Sequence, residues 1–355
     1  MRLHIEFVHT LDAAEWQRMH AAGLVPNPLP YGINRLLDHG FELEVRAANH
    51  AWLVERAVGG VGRRLSGGFE LVDAARGRRR RSCDLAVCWC ERTGVPAAAR
   101  SVLPGEPPVA MGTLWMTDPN AELSPSNAKF ARWAVRKAAT VWANSRGQLD
   151  VLAEVGVPRS RLQLLHTPGI DADFWYSERE VPEPGLVLGV GNDRHRDHRF
   201  LVRAIARLNG SLPSSRLELV THHPVVVPAE LGVKHDSVSH PELRRLYGRA
   251  AVVAVTLKPN LHISGATSIL EAMACERPVV VTGYTGYEEY VADGETGVLV
   301  PPGDEEAFAA AMRDLLEDPE RAREMGRAGR KAIEERFSSE RTMAKLAQIL
   351  GTALR

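Results

Sequence analysis

The sequence predicts an α/β protein made of two doubly wound, Rossmann-like domains facing across a cleft. Three observations predict it. Short apolar runs alternate with helical patterns along the first half, the same alternation recurs in the second half, and Pro182, Pro184 and Gly185 punctuate the junction. Strands alternating with helices argue a parallel sheet with helices on both faces. A chain of 355 residues has room for two domains of ordinary size, which we divide as 1–175 and 176–339.

In the first half, Leu3–Val8, Phe41–Arg46, Asp84–Trp89, Val109–Trp115, Thr140–Asn144 and Leu162–His166 read as strands. Gly32–His39, Ala51–Leu65, Asn127–Ala138 and Arg146–Val155 read as helices between them. In the second half, Leu186–Val190, Leu217–Thr221, Val252–Val255, Val279–Val281 and Gly297–Val300 read as strands. Their near-continuous apolar character suits strands covered on both faces. In such sheets ligands bind beyond the carboxyl ends of the strands, so loops that follow strands are the candidate site.

Composition bounds the function. Forty-five per cent hydrophobic and 25% charged residues mark a globular chain. Forty-four Lys and Arg balance 44 Asp and Glu, so no global pull toward nucleic acid or anionic membrane is expected. No apolar run reaches about eighteen residues, so no membrane span is expected, and membrane contact is at most peripheral. Met1–Val8 reads as a first strand rather than a signal peptide. The cysteines, Cys83, Cys88, Cys90 and Cys275, read as buried, reduced thiols. Cys88 and Cys90 fall on one strand face, and a metal site would need further ligands at suitable spacing. Together these predict a cytoplasmic protein. The run Arg76-Gly77-Arg78-Arg79-Arg80-Arg81 precedes a strand, at the amino end of the sheet. It reads as a solvated loop, with transient attraction to anionic lipid or nucleic acid as the alternative.

The most informative stretch is Ser264-Gly265-Ala266-Thr267-Ser268-Ile269-Leu270-Glu271-Ala272-Met273-Ala274, followed by the apolar run Pro278–Val281. A loop of Ser, Gly and Thr entering a helix lets backbone N–H groups and the helix dipole hold an anion such as a diphosphate. Thr267 and Glu271 are four apart and share a helix face. A carboxylate just past the first turn would repel phosphates it touched, and is better placed to accept hydrogen bonds from two ribose hydroxyls. The stretch reads as a nucleoside diphosphate site with a ribose clamp; for Glu271 the alternative is an ordinary helix salt bridge. Gly189-Val190-Gly191-Asn192 lacks the third glycine of a dinucleotide fingerprint, which argues against NAD.

The stretch resembles the donor site of retaining GT-B glycosyltransferases of family 4, and further motifs match in order. These are His166–Phe174 as the link into the second domain, Gly191–Asp197 as the first phosphate-side loop, Gly286–Glu289, and Asp293–Val300. The resemblance implies a GT-B architecture whose C-terminal helix, 340–355, crosses back onto the first, acceptor-side domain. It implies a retaining transfer of sugar from a nucleoside diphosphate donor (UDP, GDP or TDP sugar) to an acceptor hydroxyl of a small natural product, lipid-linked molecule or saccharide. No obligatory metal or cofactor is implied, because basic residues and a helix N-terminus stabilise the leaving diphosphate. Asp171-Ala172-Asp173 accordingly reads as part of the domain link, with a cap role as its bland alternative, and not as a metal motif.

The resemblance also assigns residues. Arg196 is the main diphosphate contact, against the alternative that it pairs with Asp197 or caps a turn. Arg194 is its fallback and Asn192 stands where the family has its first basic residue, with Ser264, Gly265, Ala266, Thr267 and Ser268 around the diphosphate and Glu271 on the ribose. The family's first glutamate falls at Ile263, so the donor sugar is held by the backbone of Ser264–Thr267 or with help from His262, or is a deoxy or modified sugar; Glu289, aligned with a glutamate after the family's glycine turn, is assigned to the donor sugar, with a solvated helix residue as its equal alternative. Val238–Glu242 is set near the nucleobase. On the first domain, Thr117, Asp118 and His9 are the catalytic candidates in place of the family's histidine, and Asp118 reads equally as a helix cap. Tyr31 and Gly32 are assigned to the acceptor. An epimerase or hydrolase on the same donor pocket, and a degenerate non-catalytic nucleotide-sugar binder, are the alternatives.

Overall fold

The protein is described by a computed structural model, and the residues described are 1–7, 13–47, 68–70, 83–118, 123–177 and 181–353. The chain divides into two compact units. One holds Met1–Ala21, Asn27–His166 and Thr342–Arg355; the other holds Ala22–Pro26 and Thr167–Arg341.

The first unit carries six parallel strands, β1 (Arg2–Phe7), β2 (Glu42–Ala47), β3 (Leu85–Cys88), β4 (Val109–Thr113), β5 (Thr140–Ala143) and β6 (Leu162–Leu164), in the order β2-β1-β3-β4-β5-β6. Helices α1 (Ala13–Ala21), α2 (Glu91–Arg100), α3 (Pro125–Val135) and α4 (Arg146–Glu154) accompany them. Beneath one face, Ala86, Met111 and Val141 pack with Val95 of α2 and Ala131 and Val135 of α3. Strand β3 stops at Cys88, and Cys90 is the N-cap position of α2. Those two thiols therefore do not share a strand face. All four cysteines are buried, and none is in a disulfide.

The helix expected over Gly32–His39 is a 3₁₀ helix spanning Pro30–His39. Tyr31 (φ 60°) and Gly32 (φ 73°) both turn left-handed inside it, which interrupts regular helix geometry. The helix expected over Ala51–Leu65 and the run Arg76–Arg81 lie outside the described residues.

The second unit carries β7 (Leu186–Val190), β8 (Arg216–Val220), β9 (Gly232–His235), β10 (Val252–Val255), β11 (Val279–Thr282) and β12 (Val298–Val300), all parallel, in the order β12-β11-β10-β7-β8-β9. Its helices are α5 (His198–Ser211), α6 (His240–Arg249), α7 (Ala266–Ala274), α8 (Glu305–Glu317) and α9 (Pro319–Ala332). β7, β10 and β11 are buried along their whole length, as expected of strands with helices on both faces. Leu201, Ile205 and Phe308 fill one side, and Ile269, Met273, Tyr247 and Tyr287 the other.

A last helix, α10 (Ser339–Thr352), follows. Its Met343, Leu346 and Leu350 are buried in the first unit with Leu3, Ile5 and Leu85. No helix among the described residues is long and apolar enough to cross a membrane.

Candidate functional site

Strand order places the candidate site. From β7 the chain runs outward through β8 and β9 on one side, then restarts at β10 and runs through β11 and β12 on the other. Adjacent β7 and β10 therefore form a topological switch point, where the loops leaving their carboxyl ends part and open a crevice. Those loops are 191–197 and 256–265.

The two loops are stitched together by backbone. Asp197 N–H donates to Thr256 O (3.0 Å), Lys258 N–H to His195 O (2.7 Å), and the Thr256 hydroxyl to Asp197 O (2.7 Å). Asp193 is the polar centre. The Ser264 hydroxyl donates to its Oδ1 at 2.9 Å, the His195 amide donates to the same oxygen at 2.8 Å, and His262 Nε2 lies 3.3 Å from Oδ2. His195 and His262 meet edge to face, with ring centroids 4.8 Å apart. Burial works to raise the Asp193 pKa. The hydrogen bond and charge of His262, with the His195 amide and the Ser264 hydroxyl, outweigh it and hold the carboxyl well below its usual range.

The loop before α7 is fixed from below. Asn260 Oδ1 accepts the Ser264 amide (2.9 Å), and the Tyr287 hydroxyl donates to Ser264 O (2.8 Å). Ile263 (φ 56°) and Gly265 (φ 84°, ψ 0°) make the turn. Helix α7 then starts with no side-chain cap. First-turn N–H groups have no partner inside a helix, so this start is a ready acceptor of anions. Thr267 is exposed there, while Ala266 and Ser268 are buried.

Arg196 runs under this start. It is only 3% exposed; its Nη2 donates to Val190 O and, at 2.7 Å, to Ser268 Oγ. Gly265 stands over Nη1: a Cβ there would lie 2.5 Å from it. Burial lowers the Arg196 pKa, opposed by Tyr287, Tyr247, Asp193 and Glu271. Neither a pair with Asp197 nor a surface turn describes this residue. One turn into α7, Glu271 is 7% exposed and accepts the Tyr247 hydroxyl at 3.0 Å. It forms no salt bridge with the described residues. Burial pushes its pKa up to about 8, against the Tyr247 hydrogen bond and the Arg196 charge.

The other assigned residues fall as follows. Arg194 and Asn192 are exposed on the 191–197 loop. The Asn192 side chain accepts the His222 amide at 2.7 Å, turning toward the loop after β8. His262 is taken up by Asp193. Glu289 ends a short 3₁₀ turn that begins at left-handed Gly286 (φ 100°) and is partly buried. Asp171 Oδ1 accepts the amides of Asp173 and Phe174, both at 3.1 Å, so it caps a turn. In 238–242, Ser239 and Glu242 form a capping box that starts α6.

In the first unit, Thr117 and Asp118 are buried in the turn after β4. Thr117 accepts Gln148 Nε2 at 2.9 Å, and that turn is organised by Glu91, whose carboxylate accepts the amides of Leu114, Trp115 and Met116. Asp118 is not the cap of the next helix; Ser124 holds that position, accepting the Asn127 amide. Tyr31 stacks on Trp89, with centroids 4.5 Å apart and planes 9° apart, and Gly32 is buried. His9 lies outside the described residues.

The sequence reading missed Asp193, Asn260, Tyr247 and Tyr287, and the exposed Lys258 on the second loop. Asp193 had one visible signal: it is a carboxylate directly ahead of the basic run Arg194-His195-Arg196. The others show themselves only through partners distant in the chain.

Comparisons with known proteins agree with this geometry. The pattern of the family described as glycosyl transferases group 1 matches residues 235–332. The chain is 31% identical over 169 residues to the putative glycosyltransferase EpsD of Bacillus subtilis, a match covering 46% of this chain and 44% of that one. It thus spans less than half the length of that relative. It is 33% identical over 264 residues to the GDP-mannose-dependent α-(1-6)-phosphatidylinositol monomannoside mannosyltransferase of Mycolicibacterium smegmatis, covering 64% of this chain and 67% of that one. In fold it is similar to Anabaena HepE, solved in complex with UDP and glucose. There the TM-score is 0.69 at 16% identity, over 99% of both chains. Two parallel six-stranded sheets with the second wound about a β7/β10 switch point are the GT-B type of fold, and the chain belongs to the glycosyl transferases group 1 family.

Proposed function

We propose that this protein transfers a sugar, with retention of configuration, from a nucleoside diphosphate donor to an acceptor hydroxyl. The observation that carries the reading is the uncapped start of α7 standing over the buried Arg196, with Glu271 one turn further in. The diphosphate lies against the first-turn amides of α7, with exposed Lys258, Arg194 and Thr267 at its edge. Glu271 accepts the ribose hydroxyls. As the bond from the anomeric carbon to the diphosphate oxygen breaks, the leaving oxygens gain charge. Fixed dipoles and cations stabilise that charge without reorganising. The acceptor oxygen forms the new bond to the anomeric carbon, and its proton passes to the departing diphosphate oxygen, which carries the charge released by the broken bond.

UDP and GDP sugars are the donors this reading favours, because a similar fold was solved with UDP and glucose and a similar sequence is GDP-mannose-dependent. Thr117, Asp118, Tyr31 and Gly32 of the first unit are assigned to acceptor recognition, and His262 and Glu289 to the donor sugar. Four buried cysteines with no disulfide among them fit a reducing, cytoplasmic setting.

One observation favours a second reading, a nucleotide-sugar binder without turnover. Where the family carries its first glutamate, Ile263 is buried in the core at 2% exposure. The test is calorimetric binding of UDP, GDP and their sugars, followed by acceptor-dependent release of nucleoside diphosphate. Binding with acceptor-dependent release supports transfer, tight binding without release supports the second reading, and no binding by the folded protein sinks both.

A further inference from the structure

We propose that Tyr247 is the positioning residue of the ribose clamp, fixing Glu271 so that the site takes ribonucleoside diphosphates and rejects their 2′-deoxy counterparts. The inference rests on the donor-site reading above and narrows it, since thymidine diphosphate sugars with a deoxyribose then fall outside the donor class.

The geometry is specific. Tyr247 is completely buried near the end of α6, its ring edge-on to Trp175 with centroids 5.8 Å apart. Its hydroxyl lies 3.0 Å from Glu271 Oε2 and 3.5 Å from Ser268 O. Burial, then the charge and hydrogen bond of Glu271, push the phenol pKa well above its usual value, so the hydroxyl stays a donor at working pH. Glu271 Oε2 is thereby committed to the protein. Oε1 bonds to no other described residue and is not among the sealed, unpartnered polar atoms. A carboxylate with one oxygen pinned and the other open presents its remaining lone pairs in one fixed plane, which suits two adjacent sugar hydroxyls. A free carboxylate would have to be ordered on binding.

The groups facing Glu271 agree with this role. Arg196, on the loop after β7, favours the charged form, and Tyr247 on α6 stabilises it by donating. Cys275, at the end of α7, has its thiol pKa raised chiefly by burial and by Glu271 itself, so it remains a neutral neighbour. Removing the Tyr247 hydroxyl leaves burial less opposed. The carboxyl then holds its proton to a higher pH than in wild type, and the neutral form offers a donor where two hydroxyls need acceptors. A tyrosine that merely filled space would affect ribo- and deoxyribonucleotides alike.

The experiment measures Kd for UDP, dUDP, GDP and dGDP by calorimetry on the full chain, wild type, Tyr247→Phe and Glu271→Gln, from pH 6 to 9. For wild type at pH 9, where Glu271 is charged, we expect ribonucleotides to bind about tenfold more tightly than deoxyribonucleotides, the worth of one hydrogen bond to a charged group. That preference should grow as pH rises through the Glu271 pKa. In Tyr247→Phe its rise should shift to higher pH, leaving a preference of about twofold or less at pH 8, where wild-type Glu271 is half charged. In Glu271→Gln it should not vary with pH. A Tyr247→Phe protein that binds both sugars with the wild-type ratio overturns the inference and leaves the donor site standing. Should that variant fail to fold, the wild-type profile decides: a ribo-to-deoxy ratio that is unity, or flat with pH, overturns it. Wild type that binds no nucleoside diphosphate overturns the donor-site reading and this inference with it.

Discussion

Replacing Gly265 by Ala attacks the candidate site where α7 starts over Arg196. Gly265 sits at φ 84°, ψ 0°, where a residue with a Cβ costs about 1–2 kcal/mol. The added methyl would also lie 2.5 Å from Arg196 Nη1 and 2.9 Å from Val255 Cγ1. Val255 belongs to a fully buried strand and cannot retreat, so Arg196 must move. Its Nη2 then leaves Val190 O and Ser268 Oγ, and the overpacking costs about 1–3 kcal/mol. A total of roughly 2–5 kcal/mol lowers the melting temperature of a domain this size by roughly 5–15 °C. Gly210, exposed inside α5 with nothing within 4 Å of a Cβ, is the control; its replacement by Ala should stabilise by about 0.5–1 kcal/mol. Scanning calorimetry gives the melting shift, and titration with UDP and GDP should show at least a tenfold weaker complex for Gly265→Ala. A variant that melts within a degree of wild type and binds nucleotide equally well would show that Arg196 is neither confined by Gly265 nor needed at the diphosphate.

Asp193→Asn removes the charged acceptor shared by His262, Ser264 and His195. A loss of about 1–2 kcal/mol should appear in urea unfolding, and an unchanged midpoint would contradict it. Glu91→Gln leaves one acceptor oxygen for the three amides of Leu114, Trp115 and Met116; hydrogen exchange at those amides should accelerate, and a loss of about 1–3 kcal/mol is expected. Glu271 gives an alkaline limb. Its folded pKa, about 8, lies above its unfolded value, so the folded state holds the extra proton in between, and stability falls as pH rises from about 4.5 to 8. Glu271→Gln should flatten that slope in melts across pH 5–9, with a ceiling on the order of 5 kcal/mol; an identical slope would show that Glu271 ionises freely. His198 acts oppositely. Burial first, with Arg196 and His223, holds it near 4, so stability falls as pH drops below about 6.5, and His198→Gln should weaken that acid limb.

The fold was legible where the physics is local. Leu186–Val190 and Val252–Val255 are apolar at every position and stand in the structure as strands with those bounds. β9 passed unread because Gly232-Val233-Lys234-His235 is a half-exposed edge strand, and only its pairing with β8 makes it one. Helix α2 contains Gly94 and Pro96, both poor helix formers; its packing on β4 outweighs them. The start of α7 was legible because small residues ahead of an apolar helix carry the signal in one stretch. What surrounds it was not. Asp193 meets Ser264 across 71 positions and His262 across 69, and Tyr247 meets Glu271 across 24. No period or spacing in a single chain encodes such pairs.

The position of Ile263 shows why matching residues to a family position by position is not enough. With φ 56° and 2% exposure, its side chain turns into the core beside Ala266 and Ile269. A glutamate in that backbone conformation would bury an unpaired charge, at a cost of several kcal/mol. The loop nonetheless contains a carboxylate: Asp193, delivered from the loop after β7 and tied to Ser264 and His262 on either side of Ile263. Its charge is fixed by those donors rather than by water, so it stays ionised across the working pH range. The loop is therefore rigid and locally anionic at the point nearest the start of α7. On the donor reading proposed above, an anionic diphosphate would be tolerated there because Arg196 lies beneath, the α7 amides stand in front, and His195 and His262 flank Asp193. Removing the Asp193 charge relieves the repulsion but loosens the turn that aims those amides. The balance between the two effects decides how Asp193→Asn changes nucleotide affinity. If the variant keeps its urea midpoint and binds more tightly, repulsion dominates; if both stability and affinity fall, Asp193 acts mainly by holding the turn.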